Sequence, residues 1–124
     1  MSNQPLQPHA HSVSTLYGDN NEPLTPKFAV ITASSSGNNE VVAAVTGKRI
    51  RVLAYNYVSA GTVNAAWRDG ASTVIGGLGY WVVNTGKVVP FNPAGWFQTT
   101  AGVALNLNLS AAIAVGGELV YVEV

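Results

Sequence analysis

The sequence predicts an all-β chain: a jelly-roll-like antiparallel β-sandwich carrying an extended N-terminal arm. Three observations predict it. From Phe28 onward, apolar residues recur at every second position in short runs, which is strand spacing rather than helix spacing. Those runs are rich in β-branched and aromatic residues and are separated by Gly-, Asn- and Asp-containing turns. Residues 1–27 have a different texture, with four of the six prolines, both histidines and few apolar side chains. Proline removes backbone donors and blocks helices, so this stretch reads as an arm preceding a single domain at 28–124.

The elements follow in order. "FAVITASS" (28–35) alternates and is β-branched, and "SGNN" turns the chain. "EVVAAV" (40–45) is a second strand, closed by "TGK". "RIRVLAYNYVSA" (49–60) is the longest strand, with Ile50, Val52, Ala54 and Val58 on one face. Arg51, Leu53, Tyr55 and Tyr57 fall on the other. Both faces are partly apolar, so the strand is expected to be central and covered twice, or to meet another subunit. In 61–70, Val63, Ala65 and Trp67 share a face, Asn64, Ala66 and Arg68 take the other, and Asp69-Gly70 turns. Residues 71–86 read as two short strands joined at Gly76-Gly77, followed by a turn at Asn84-Thr85-Gly86. Residues 87–91 contain Pro90, which places them at an edge or a strand end. "VALNLNLS" (103–110) puts Leu105, Leu107 and Leu109 inward and Asn106 and Asn108 outward. At a sheet edge, so neutral a strand would invite pairing with another chain. "AAIAV" (111–115) reads as strand or loop, and 116–124 is a final strand. Eight or nine short strands with Gly-rich turns indicate a sandwich or barrel.

Composition narrows the function classes. The chain has 124 residues, 48% hydrophobic and only 10% charged, with six basic and six acidic side chains and no cysteine. A core can form without staples, and thiol chemistry is excluded. The balanced charge argues against nucleic acid as a partner. No apolar run approaches the ~20 residues of a membrane helix, so no membrane partner is expected. The N-terminus lacks the basic start and apolar core of a secretory signal, so synthesis in a cytoplasm without export by that route is expected. So sparsely charged a surface repels its neighbours weakly and suits assembly.

Chemistry-bearing groups are few. The acids Asp19, Glu22, Glu40, Asp69, Glu118 and Glu123 lie in the arm, in a turn or at strand ends. His9 and His11 form an H-x-H pair without a nearby third ligand, and in a Pro-rich arm they read as solvated. "GKRIR" (47–51) is the basic cluster, read as a solvated or inter-subunit face. "GGLG" (76–79) lacks the Lys-Ser/Thr and the helix of a phosphate loop. No catalytic, cofactor or metal residue is assigned, and a small-molecule ligand is not expected. Trp67 reads as core, and Trp81 as core or interface. Trp96, presented with Phe97 after Pro93-Ala94-Gly95, reads as packing or interface, with sugar stacking as the alternative.

The stretches 45–70 and 92–124 carry G-K-x-I-R-V, an aromatic-bearing strand, G-W-F, a Leu-rich alternating strand and V-G-G-x-L-x-Y. In this the chain resembles small tailed-bacteriophage virion proteins of the head-decoration, or capsid cement, type, and the likeness spans most of 28–124. The resemblance implies a non-enzymatic homotrimer on the capsid exterior, bound to the major capsid protein at capsomer joints. The alternative is a carbohydrate- or receptor-binding fibre or tail module. On the first reading Leu6, Pro8, Val13, Leu16 and Tyr17 of the arm are candidate capsid contacts. Arg51, Tyr55, Tyr57, Trp81, Trp96 and Phe97 are candidate subunit contacts.

Overall fold

A computed structural model describes residues 16–124. Among them twelve strands form and no helix does: β1 (Leu16–Tyr17), β2 (Pro23–Leu24), β3 (Lys27–Ala33), β4 (Gly37–Val42), β5 (Ile50–Ser59), β6 (Val63–Asp69), β7 (Thr73–Val74), β8 (Gly79–Trp81), β9 (Thr85–Val89), β10 (Phe97–Gln98), β11 (Leu105–Leu109) and β12 (Val115–Glu123). β1 and β2 pair with each other, and the other ten make two antiparallel five-stranded sheets. In sheet I, β12 lies between β3 and β5, and β9 and β10 share the far side of β5. In sheet II, β11 lies between β4 and β6, and β7 and β8 share the far side of β6.

The inward side chains of both sheets meet in one core. Sheet I supplies Ile31, Ile50, Val52, Tyr55, Tyr57 and Leu119; sheet II supplies Val63, Trp67, Leu105, Leu107 and Leu109. The leucine strand alternates buried and half-buried positions. It is not an edge. Hydrogen bonds run to β4 and β6 on either side, and its asparagines are engaged as well. Asn106 Nδ2 donates to Gly70 O at 2.8 Å and Asn108 Nδ2 to Asn38 Oδ1 at 2.8 Å. The neutral face that an edge would leave open for pairing is therefore closed within the chain.

Two departures from simple alternation matter. In β5, Val120 faces Ala54 while Tyr121 faces Val52, so Leu53 has no opposite number in β12. This bulge reverses the phase of the strand. Ile50 and Val52 point into the core before it; Tyr55 and Tyr57 point into the same core after it. The sequence reading, which assumed unbroken alternation, had set the tyrosines on the opposite face. Leu53 turns the other way and packs with Leu16 and Val122. The second departure is at β4, which begins at Gly37 rather than at residue 40. Asn39 Oδ1 accepts the N–H groups of Ser34 (3.3 Å) and Ser35 (3.1 Å), so the turn is tighter and earlier than its Gly-Asn-Asn composition suggests.

The arm boundary moves as well. Residues 16–24 form a small hairpin, with Leu16 opposite Leu24 and Tyr17 opposite Pro23. Leu16 is buried against Leu53 and Val122, so this part of the stretch belongs to the body rather than to an arm.

Candidate functional site

Two exposed apolar surfaces stand out, and each follows from strand alternation. The first is the outer face of sheet I. In β3 the inward residues are Ile31 and Ala33, which leaves Phe28 (78% exposed) and Val30 (73%) pointing out. Register lines Phe28 up with Val120 and Ala54. The next row runs Val30, Glu118, Asn56, Val88, and Val88 is 81% exposed. Together these residues line a shallow groove of about 300 Å³. Its charged residue is Glu118, whose carboxylate accepts from Asn56 Nδ2 at 3.2 Å. Sequence reasoning passed over this face. The signal present was the unbroken apolar run 28–31, which fits a strand with two apolar faces as well as one buried on both.

The second surface is built by the turn "NPAG". Asn at the first position and Pro at the second are the signature of a type I turn. Asn92 Oδ1 accepts the Ala94 N–H at 3.0 Å, and Gly95 N–H donates to Asn92 O at 2.9 Å. Gly95 holds φ +87°, and a Cβ there would lie 2.5 Å from Arg51 Cγ, so the position requires glycine. Next come Trp96 and Phe97, which alternation sends in opposite directions. Trp96 is 47% exposed, and its indole N–H donates to Pro90 O at 2.8 Å, which fixes the plane of the ring. Phe97 turns inward, with ring centroids 6.0 Å from both Trp67 and Tyr55. Beside Trp96 a cleft of about 310 Å³ is lined by Ile75, Gly76, Gly77 and Lys87.

The other expected contact residues fall out as follows. Tyr55 and Tyr57 are core side chains of the single chain, 6% and 2% exposed, and so present no subunit face. Their rings stack at 5.9 Å; Tyr55 meets Trp67 edge-on at 5.3 Å and Tyr57 meets Trp81 edge-on at 5.8 Å. Burial pushes both phenols up, because phenolate is the form that loses hydration. The indole N–H groups of Trp67 and Trp81 lie close enough to offset part of this, although neither closes a hydrogen bond among the described residues. Trp81 is half-buried against the core. Arg51 is held within the chain, its Nε donating to Gln98 Oε1 at 2.9 Å and its Nη2 lying 4.0 Å from Asp19 Oδ1. Of the arm residues, Leu16 is buried and Tyr17 is exposed. Leu6, Pro8 and Val13, with His9 and His11, lie outside the described residues.

Several of the acids hold local structure. Asp69 accepts from the Thr100 hydroxyl at 2.6 Å and from its N–H at 3.1 Å. Glu123 pairs with Lys27 at 3.1 Å, and Glu22 accepts the Asn20 N–H at 3.0 Å. Among the described residues, the surface offers contact area and an oriented indole. No protein-family model, curated protein or solved structure matches the chain.

Proposed function

We propose that this chain is a structural virion protein of a tailed phage, a homotrimeric decoration protein that covers capsomer joints on the capsid exterior. The observation that carries the reading is the surface. Phe28, Val30, Tyr80, Val88, Phe91 and Trp96 stand exposed on a body with few charges. Covering apolar area is worth about 25 cal/mol per Å², so such faces favour assembly. The resemblance of 45–70 and 92–124 to head-decoration proteins adds the virion and the capsid protein.

A jelly-roll sandwich body fits the strand order. A jelly roll is a long hairpin rolled over itself. The hairpin pairs are β3 with β12, β4 with β11, β5 with β9 and β6 with β8; rolling brings β12 to β5 and β11 to β6. With Tyr55 and Tyr57 in the core, the candidate contacts that reach the surface among the described residues are Tyr17 and Trp96 and, in part, Trp81 and Arg51.

The test is co-sedimentation of the purified chain with capsids of the phage that encodes it, stripped of this protein. Saturable binding is expected, weakened by Trp96→Ala, and light scattering of the free protein should give three times 12.9 kDa. No binding at any concentration overturns the reading.

The oriented ring of Trp96 beside a cleft containing Lys87 favours a second reading, a carbohydrate-binding fibre or tail module. On that reading a glycan screen gives hits that Trp96→Ala abolishes; a blank screen removes it.

A further inference from the structure

We propose that the apolar groove on the outer face of sheet I is the seat of the chain's own residues 1–15. That segment arrives on the same face. Leu16 is packed against Leu53 and Val122 on this same face, so the preceding chain reaches the face at its Val122 end. Val120 packs against the Leu16 cluster and also lines the groove, so the covered and uncovered parts form one apolar surface.

The segment is also long enough to reach. Val122 and Glu118 are four residues apart on β12, about 13 Å at strand spacing. Fifteen residues can extend roughly 50 Å, so residues 10–15 suffice to cross the groove. The segment carries Leu6 and Val13 for the apolar floor, with His9 and His11 and no acid. The charged residue of the groove is the acid Glu118. A tethered segment this close also acts at an effective concentration on the order of millimolar, well above that of a second copy in dilute solution. The exposed apolar residues left for other partners then include Tyr80, Phe91 and Trp96, none of which lines the groove.

The inference does not depend on the capsid reading, because its test uses the free chain. The protein contains no cysteine, so a designed pair reports without background. In the full chain, Val13→Cys with Val30→Cys is oxidised at low protein concentration. An intramolecular disulfide is expected, seen as a monomer of increased mobility on a non-reducing gel. A control pairing Val13→Cys with Val74→Cys, on exposed β7 of sheet II, is expected to close far less. Disulfide-linked dimers or trimers in place of the internal bond overturn the proposal, since the segment then seats on another copy. Equal closure of the test and control pairs overturns it too.

A second measurement avoids the disulfide. In the full chain, Leu6→Asp with Val13→Asp is expected to shift the amide and methyl NMR signals of Val30, Val88 and Val120 while leaving those of Val74 in place. Unmoved groove signals contradict the proposal.

Discussion

The bulge at Leu53 makes a sharp prediction at two adjacent residues. Tyr57 is 2% exposed and Val58 54% exposed, because the phase of β5 after the bulge sends one in and the other out. Truncating a buried aromatic to alanine costs about 3–5 kcal/mol. Tyr57 also loses ring contacts to Tyr55 at 5.9 Å and Trp81 at 5.8 Å, each worth about 0.5–1.5 kcal/mol beyond area. Tyr57→Ala should therefore cost at least about 4 kcal/mol. A fully buried valine gains about 1.5–3 kcal/mol from burial, so a half-exposed one truncated to alanine should lose under about 1 kcal/mol. A domain of this length has roughly 6–19 kcal/mol in total at about 0.05–0.15 per residue, so both variants should fold. In urea unfolding with m near 2 kcal/mol/M, the Tyr57→Ala midpoint falls by about 2 M and the Val58→Ala midpoint by less than about 0.5 M. The opposite ranking would refute the bulge and restore unbroken alternation through β5.

Three further outcomes follow from particular contacts. Thr99 is fully buried and its hydroxyl accepts the Ile50 N–H at 2.9 Å, so Thr99→Val strands that donor at about 1–3 kcal/mol while Thr99→Ser largely restores it; equal stability of all three would contradict the bond. Gly95→Ala should cost more than Gly47→Ala in thermal unfolding. Both sites have positive φ, at about 1–2 kcal/mol, but only Gly95 would set a Cβ against Arg51. Burial raises the Tyr55 and Tyr57 phenols above their usual 10.0, so the folded state holds protons longer than the unfolded one. Their stabilisation is complete below pH 10 and lost as pH rises through the folded values, at up to about 1.4 kcal/mol per pH unit for each phenol. Chemical unfolding across that window should show a shallower decline in Tyr55→Phe/Tyr57→Phe, and an unchanged slope would contradict the assignment.

Much of the body was legible because its signals are local. Leu105, Leu107 and Leu109 alternate without interruption, Trp67 shares its face with Val63 and Ala65, and Gly76-Gly77 separates two strands that both pair with β6. What was not legible depends on partners distant in sequence. The bulge at Leu53 exists only in the register between β5 and β12, so nothing within "RVLAYNY" announces that Tyr55 and Tyr57 change sides. The exposure of Phe28, Val30 and Val88 has the same cause. An apolar strand residue is core or surface according to whether something covers its sheet, and the covering element is specified elsewhere in the chain. Leu16 shows the converse. A lone leucine in a proline-rich stretch reads as arm, but Leu53, displaced outward by the bulge, and Val122 give it a place to pack.

On the proposed reading the protein acts by covering a capsid. Electron cryo-microscopy of phage particles with and without it, compared by difference density, reads this out. Trimeric density is expected on the capsid exterior, over the joints between capsomers, only when the protein is present. Difference density confined to the tail or fibres, or absent from the particle, would contradict it.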